Sequence, residues 1–193
     1  MPRAKSTPDT AGRILDVAEE LVQVRGFNAF SYADIAAELG ITKAGLHYHY
    51  PGKAELGEAL IDRYTGRFNA ALEHIGAREA PAAAKLEAYV QLYADVLSAR
   101  RMCLCGMLAA EYQTLPEELQ TAIVGFFDHN EAWLAKLLAQ GRRDGSIRFE
   151  GSAKDTARMI ISGLEGAMLV ARPYGDPGQF RKSAATLVAA LTK

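Results

Sequence analysis

Apolar residues recur along most of the chain with the spacing of an α-helix, and glycine and proline separate the resulting segments. The first segment is expected to be a helix that ends at Gly26. Its apolar face consists of Ile14, Leu15, Ala18, Leu21 and Val22. Two short helices are predicted next, after Ser31 and after Thr42, because both residue types cap helix N-termini. Gly40 lies between them as a turn, and a longer fourth helix is expected over 52–75.

The remainder of the chain is also predicted to be helical. A break at 76–81 contains Ala, Gly and Pro, and Pro81 suits the first turn of a fifth helix that ends near Arg100. The later helices are expected over 103–113, 116–140, 152–173 and from 177 onward, with a polar loop at 141–151. Alternation typical of strands is scarce, so the predicted fold class is all-α, with about nine helices.

Composition restricts where the protein works and what it binds. No apolar run approaches the roughly 18 to 20 residues that span a bilayer. Residues 1–10 are polar and lack the apolar centre of a signal peptide, so a flexible N-terminal arm and a cytoplasmic location are expected. The two cysteines, Cys103 and Cys105, are too few for a disulfide framework or a structural zinc site. Neither a metal nor a cofactor is predicted.

The distribution of charge points to a local site for a polyanion. A net charge of −1 is unlike that of proteins that coat nucleic acid by bulk electrostatics. Residues 39–54, however, contain no carboxylate. The basic or titratable residues in this stretch are Lys43, His47, His49 and Lys53. Nucleic acid could approach the chain there.

Two short helices joined by a turn and braced by a longer one predict a helix-turn-helix, whose second helix enters the major groove of DNA. In that arrangement Ile41, Leu46 and Tyr50 would hold the second helix to the core. Ala44 and Gly45 would keep its other face slim enough to lie close to the groove. Thr42 and Lys43 stand at its N-terminus, where the helix dipole favours phosphates and base edges.

The stretch from Ile14 to Leu60 resembles the DNA-binding head of the TetR family of repressors. The resemblance lies in Gly26-Phe27, in Ser31-Tyr32-Ala33-Asp34-Ile35-Ala36, in Leu39-Gly40-Ile41, in Lys43-Ala44-Gly45-Leu46-His47-Tyr48-His49-Tyr50 and in Lys53-Ala54-Glu55-Leu56. It implies that some side chains contact the DNA backbone or flank the groove, namely Ser31 and Tyr32. It implies that others face bases, namely Thr42, Lys43, Ala44 and Gly45. The residues expected to reach bases or phosphates are His47, Tyr48, His49 and Lys53. The resemblance also divides the chain into two parts. A DNA-binding head covers 11–56, with the fourth helix continuing to 75, and a body covers 77–193.

Some of these residues also have a purely structural interpretation. Tyr48 and Tyr50 cannot both face DNA, and Tyr50 is expected to be the packing residue. His47 and His49 lie two positions apart, which points them about 200° apart around a helix, so a shared metal ion is not expected. Lys53 could be a solvated lysine, but a cation at a helix N-terminus is disfavoured by the dipole, which favours a phosphate contact instead.

The body is expected to hold a ligand pocket and a dimer interface. Apolar side chains on helices five to seven could line a pocket or could be core. The candidates are Tyr93, Met107, Phe126 and Trp133, with Met107 and Trp133 preferred because Met adapts its shape and Trp adds a hydrogen-bond donor. By the family resemblance, helices eight and nine pair with those of a second copy. The expected interface residues are Gly163, Gly166, Ala167, Leu187 and Leu191.

Cys103 is predicted to be a sensor of electrophiles or oxidants. Arg100, Arg101 and the start of helix six would favour its thiolate, which is the reactive form. The segment from Cys103 to Glu111 also resembles that of TetR-type repressors that sense electrophiles through a cysteine. Alternatively both cysteines are packing residues, and Cys105 is the better candidate for packing because it points to the opposite side of the helix.

These features predict a dimeric repressor that binds a pseudo-palindromic double-stranded operator and is released by a small-molecule or electrophile inducer. A DNA-binding regulator without a small-molecule ligand is the alternative, and activation in place of repression is left open. An enzyme is not expected, because the chain has no phosphate loop, no paired-carboxylate motif and no nucleophile with an evident base. Glu111, an acid in an apolar stretch, is expected to pair with an arginine.

Overall fold

The computed structural model describes residues 9–192, and within that range it has nine α-helices and no strand. The all-α prediction is therefore confirmed. The helices are α1 (Thr10–Arg25), α2 (Tyr32–Leu39), α3 (Lys43–His49), α4 (Lys53–Gly76), α5 (Ala82–Ser98), α6 (Leu104–Ala110), α7 (Glu117–Asp144), α8 (Ala153–Ala171) and α9 (Pro177–Ala189). Short 3₁₀ turns cover Tyr112–Thr114 and Arg172–Tyr174.

The helix starts follow local capping signals in the sequence. The side chains of Thr42 and Ser152 accept the backbone N–H groups of Gly45 and Asp155, as the sequence predicts. Asp9 caps α1 in the same way through Gly12. Most of the arm predicted over 1–10 lies outside the described residues.

Two helix ends differ from the prediction. Helix α7 runs through Gly141 to Asp144, so the polar loop predicted at 141–151 is shorter. A side chain at position 141 would collide with Ile147, since a Cβ there would lie 2.6 Å from that side chain. Gly141 thus allows close packing, and the helix ends instead at Gly145, which has φ +78°. Helix α6 is also shorter than predicted and ends at Ala110.

The helices α1 to α4 form the head, and α4 also belongs to the body. α4 packs against α1 and also against α5, α6 and α7. In the body α8 packs against α7 and α9, and α5 packs against both α7 and α9. A displacement of α4 relative to the body would therefore also move the head. Every helix within residues 9–192 is too short or too polar to cross a membrane.

Candidate nucleic-acid interface and body cavity

The α2–α3 unit has the geometry of a helix-turn-helix. Gly40 makes the turn with φ +65°, and the N–H of Ile41 donates to the carbonyl of Ala36 at 3.1 Å. On α3 the side chain of Leu46 is fully buried and fixes the helix to the core. The opposite face is open, and the exposed fraction of Tyr48 is 85%. The exposed predicted residues are Thr42, Lys43, Ala44, His47 and Tyr48, whereas Gly45 and His49 are half-buried.

Ser31 and Tyr32, the two residues at the start of α2 that were predicted to contact the DNA backbone or flank the groove, both form hydrogen bonds within the protein. The hydroxyl of Tyr32 donates to the carbonyls of Tyr50 at 3.0 Å and Gly52 at 2.5 Å, and burial raises its pKa to about 12. Tyr32 thus ties α2 to the loop between α3 and α4. The hydroxyl and N–H of Ser31 both donate to the carboxylate of Asp34 at 2.7 Å. Ser31 remains exposed, so a contact with DNA there stays a prediction.

Tyr50 lies in the loop between α3 and α4, and His47 on α3 contacts that loop. Tyr50 is half-buried, as expected for a packing residue, and its hydroxyl lies 3.4 Å from the carbonyl oxygen of Ala11. The Nδ1 atom of His47 lies 2.9 Å from the carbonyl oxygen of Pro51, and its ring lies 4.7 Å from that of Tyr32. No metal cluster of three or more His, Cys, Asp or Glu residues occurs within 9–192.

Lys53 has a structural role that the sequence did not reveal. Its ammonium donates to the carbonyl of Phe30 at 2.5 Å and lies 4.2 and 4.8 Å from the ring centroids of Phe30 and Phe27. Burial lowers its pKa. Carbonyl and ring faces already stabilise this charge, so the helix dipole alone gives no reason for a phosphate beside it. The phosphate contact of Lys53 itself stays a prediction.

We expect Lys53→Ala to lower the stability of the head and to leave the salt dependence of DNA binding nearly unchanged. Loss of the carbonyl and ring contacts should lower the free energy of unfolding by about 1 kcal/mol, since the side chain is partly exposed. Urea denaturation would measure this, with exposed Lys43→Ala as the control. A phosphate contact would instead lower the salt slope of DNA binding by about one. That result with unchanged stability would contradict the structural role.

A cavity of about 170 Å³ lies in the body between α4, α5 and α8. Its walls are mainly apolar and aromatic, and they include Tyr64, Phe68, Tyr93, Cys103 and Met168. Of the predicted pocket residues, Tyr93 and Cys103 thus line this cavity. Phe126 lies behind the wall, with its ring centroid 5.0 Å from that of Phe68.

Met107 and Trp133 were the preferred candidates for pocket residues, but neither side chain lines this cavity. Trp133 stacks on Tyr89 with ring centroids 5.7 Å apart, and the sulfur of Met107 lies 3.4 Å from Nη1 of Arg172. Beside the cavity, the hydroxyl of Tyr89 donates to Oδ1 of Asn130 at 2.9 Å and lies 3.0 Å from that of Tyr93. This buried polar network orients the ring of Tyr93.

The thiolate premise for Cys103 is wrong. Its side chain is 3% exposed, and burial together with the nearby carboxyl of Glu165 raises its pKa well above the ordinary value. The Sγ atom accepts from the N–H of Gly106 at 3.5 Å, but this contact only partly offsets the burial. Arg101, predicted to favour the thiolate, pairs instead with Glu20 at 2.6 Å. Cys105 is equally buried, and its pKa is raised by the same causes.

We therefore expect both cysteines to react slowly with iodoacetamide in the native protein, because thiolate is the reactive form. The expected result is slow labelling of Cys103 and Cys105 at similar rates in buffer, and fast labelling of both in denaturing urea. Mass spectrometry of digested samples over time measures the two rates. Rapid native labelling confined to Cys103 would contradict the effect assigned to burial.

Glu111 joins the head to the body. It was predicted to pair with an arginine, but its carboxylate binds backbone N–H groups instead. Its carboxylate accepts the N–H of Phe27 at 2.6 Å and that of Asn28 at 3.2 Å, both in the α1–α2 loop. The side-chain amide of Asn28 donates to the hydroxyl of Thr114 at 2.7 Å. The loop before the helix-turn-helix is therefore hydrogen-bonded to the segment that follows α6.

The predicted interface residues on α8 and α9 divide into two groups. Gly163 packs against Leu187 within the chain, since a Cβ at position 163 would lie 2.8 Å from that side chain, and Leu191 is buried. These three residues are therefore engaged inside the protomer. Gly166 is exposed and Ala167 half-buried. Exposed apolar side chains on and after α8 are Met159, Leu169, Val170 and Tyr174.

Comparisons with known proteins agree with this architecture. Residues 14–60 match the family model of the bacterial regulatory proteins of the tetR family, and residues 82–187 match that of the tetracyclin repressor-like C-terminal domain. A TetR-family regulator from Agrobacterium tumefaciens superposes with a TM-score of 0.92 at 29% identity, covering 97% of this chain and all of that one.

Two further proteins are similar to most of this chain. A TetR regulator from Legionella pneumophila has 34% identity and a TM-score of 0.87, with 97% of this chain and 100% of that chain covered. The transcriptional regulator AcuR from Cereibacter sphaeroides is 23% identical over 178 residues, 88% of this chain and 81% of that protein. The chain therefore belongs to the TetR family of DNA-binding transcriptional regulators.

Proposed function

We propose that the protein is a ligand-responsive repressor that acts in the cytoplasm as a homodimer on a pseudo-palindromic operator. The observation that carries this proposal is the place of α4, which packs on the head helix α1 and also lines the body cavity through Tyr64 and Phe68. A small molecule that enters the cavity would push against α4. The head would then shift relative to its partner in the dimer.

On DNA, α3 would lie in the major groove with its exposed face toward the bases. Thr42, Lys43, Ala44 and Gly45 would approach base edges, because they form the open N-terminal half of that helix. Tyr48 and the two histidines would reach the flanking bases or phosphates. Ser31 would contact the DNA backbone from the start of α2, whereas Tyr32 would mainly position α3.

Dimerisation would bring two copies of α3 to half-sites about 34 to 36 Å apart or somewhat more. The exposed apolar side chains of Met159, Leu169 and Val170 favour the outer face of α8 as part of the interface. Gly166 would allow two such helices to approach closely. A dimer is expected because one short recognition helix contacts too few base pairs to bind tightly alone.

The test combines footprinting with mass measurement. Footprinting upstream of the protein's own gene should give a protected pseudo-palindrome, and light scattering should give the mass of a dimer. Lys43→Ala should change the preferred sequence at one position in each half-site, since it removes a base contact. Protection of a single half-site by a monomer would contradict the dimer.

The response to small molecules is tested by repeating the footprint with candidate inducers. Loss of protection supports a ligand-responsive repressor. Protection that no inducer changes supports the alternative, a DNA-binding regulator without a small-molecule ligand. The proposed inducer binds reversibly, since burial of Cys103 disfavours capture of an electrophile. An inducer that acts on the wild type and fails on Cys103→Ser would instead support the covalent route.

A further inference from the structure

Arg67 on α4 is the one exposed residue among those that line the body cavity within residues 9–192, with 53% of its side chain accessible to solvent. The other lining residues are buried or half-buried, namely Tyr64, Phe68, Ala71, Leu92, Tyr93, Val96, Cys103 and Met168. An exposed wall residue lies where a cavity opens to solvent, so Arg67 stands at the mouth. The cavity therefore has an apolar and aromatic interior and a cation at its opening.

The guanidinium of Arg67 has N–H groups to spare. Its Nη2 atom donates to the carboxylate of Glu19 on α1, and within residues 9–192 its Nη1 and Nε atoms have no hydrogen-bond partner. Arg63, one turn earlier on α4, is more fully used, since it donates to Glu19 at 3.0 Å and to Asp16 at 2.7 Å. A guanidinium has five N–H donors, and its planar fork matches a carboxylate. Arg67 can therefore bind a second carboxylate without releasing the first.

The polar groups of the inner wall are already hydrogen-bonded. The hydroxyl of Tyr64 donates to the Sγ atom of Cys103 at 3.7 Å. The hydroxyl of Tyr93 lies 3.0 Å from that of Tyr89 and accepts from Nδ2 of Asn130 at 3.2 Å. A charged group deep in the cavity would lose water without gaining a partner, which is unfavourable. The inner wall therefore suits the apolar part of a ligand, and the mouth suits an anionic part.

We propose that the cavity binds a small monocarboxylate with an apolar body of about one ring, whose carboxylate binds Arg67 at the mouth. The body would pack between the rings of Tyr64, Phe68 and Tyr93. The cavity of about 170 Å³ compares with the roughly 150 Å³ that accommodates benzene in an engineered protein, which sets the size of the body. At the mouth the carboxylate keeps part of its hydration, so its desolvation costs less than in the interior. This inference names the class of inducer, and it rests on the proposed function only in taking the cavity to be the inducer site.

Arg67 also connects the cavity to the head. Glu19, which accepts from its Nη2 atom, is a buried residue of α1, so this ion pair joins α4 to that helix. A ligand carboxylate would share the same guanidinium and repel the carboxylate of Glu19, which weakens the contact between α4 and α1. Arg63 would keep its own bond to Glu19, and the two helices would stay in contact. A carboxylate ligand therefore acts on the head through its charge as well as through pressure on α4.

Isothermal titration calorimetry with three matched probes tests the charge preference in the wild-type protein. The probes are phenylacetate, the neutral 2-phenylethanol and the cationic 2-phenylethylamine. Phenylacetate should bind about ten-fold more tightly than the alcohol, because it adds hydrogen bonds between charged groups. The amine should bind most weakly, because Arg67 repels it. Binding of the alcohol or the amine as tight as that of phenylacetate would overturn the proposal.

The variant Arg67→Gln should reduce phenylacetate affinity about ten-fold and leave that of 2-phenylethanol nearly unchanged, since the ring still enters the same interior. Arg63→Gln is the matched control, because Arg63 binds the same Glu19 from α4 but does not line the cavity. Its phenylacetate affinity should stay close to that of the wild type. Urea denaturation checks that both variants are folded. Unchanged phenylacetate affinity in folded Arg67→Gln would also overturn the proposal.

The variant Glu19→Gln gives a readout that a merely structural role of this ion pair would not give. Removal of the competing carboxylate should raise phenylacetate affinity roughly two- to five-fold, the size expected for a partly exposed ion pair, and leave that of 2-phenylethanol unchanged. Glu20→Gln is the control, because Glu20 lies on the same helix and pairs with Arg101 at 2.6 Å. A purely structural role would instead lower the affinity for both probes together. That outcome would contradict the competition for Arg67.

Phenylacetate also separates this inference from the proposed function. Binding that depends on Arg67 and dissociates the operator complex supports both. Binding that depends on Arg67 but leaves operator affinity unchanged supports the carboxylate site and contradicts induction through this cavity. Absence of calorimetric binding by phenylacetate, in protein that still binds operator DNA, overturns the carboxylate site alone.

Discussion

Replacing Gly45 by leucine should weaken specific operator binding about 100-fold, because two groove contacts at about 1 to 3 kcal/mol each would be lost. Gly45 lies on α3 between exposed Ala44 and buried Leu46. A Cβ at position 45 would approach only the hydroxyl of Thr42, at 3.4 Å, so the protein itself has room for a side chain. Leucine would instead hold the helix backbone away from the floor of the groove.

The measurement is fluorescence anisotropy on the footprinted duplex and on a scrambled duplex of equal length. Affinity for the scrambled duplex should change little, since non-specific binding depends on phosphate contacts. Gly125→Leu is the matched control, because Gly125 also has open space around it and lies on α7, far along the chain from the head. Thermal unfolding of both variants should resemble that of the wild type. Wild-type affinity and sequence preference in Gly45→Leu would rule out the docking of α3 in the groove.

The features that the sequence predicted best depend on near neighbours. The caps at Thr42 and Ser152 each bond a residue three positions ahead, and the turn at Gly40 needs only its own positive φ. Such signals are complete within one helical turn, so a pattern of residue types is enough to find them. The exposed face of α3 follows from the same local periodicity, once Leu46 is taken as its buried side.

The contacts that the sequence did not reveal join distant parts of the chain. Lys53 binds the carbonyl of Phe30, 23 positions away, and Glu111 binds the backbone of Phe27, 84 positions away. The end of α7 depends on how closely Ile147 packs on Gly141. Helix propensity and charge spacing contain no information about such approaches, because tertiary packing decides them.

Cys103 illustrates the same limit for chemistry. Arg100 and Arg101 are its neighbours in sequence, and a helix N-terminus follows, so local reasoning favours a low thiol pKa. In the folded protein the thiol is enclosed, Arg101 turns to Glu20, and the nearest carboxyl comes from Glu165, 62 positions along the chain. Desolvation by the fold then outweighs the local charges.

Replacing Glu111 by alanine should lower the free energy of unfolding by about 2 kcal/mol, since hydrogen bonds to a charged group contribute about 1.5 to 3 kcal/mol. The carboxylate receives the N–H groups of Phe27 and Asn28, and the N–H of Phe27 would lose its acceptor in a partly buried place. Glu111→Gln should be less destabilised, because its amide oxygen can still accept one of these bonds. Urea denaturation measures both changes, with exposed Glu87→Ala on α5 as the control.

The location of Glu111 gives this prediction a consequence for signalling between the cavity and the DNA. Helix α6 is capped at one end by Cys103, which lines the cavity, and Glu111 follows its other end and holds the loop before α2. In Glu111→Ala the amides of Phe27 and Asn28 should exchange hydrogen faster, because their acceptor is gone. The amide of Gly45, bonded to Thr42 inside the head, should keep its rate. Unchanged exchange at Phe27 together with unchanged stability would contradict the role of Glu111 as the link between head and body.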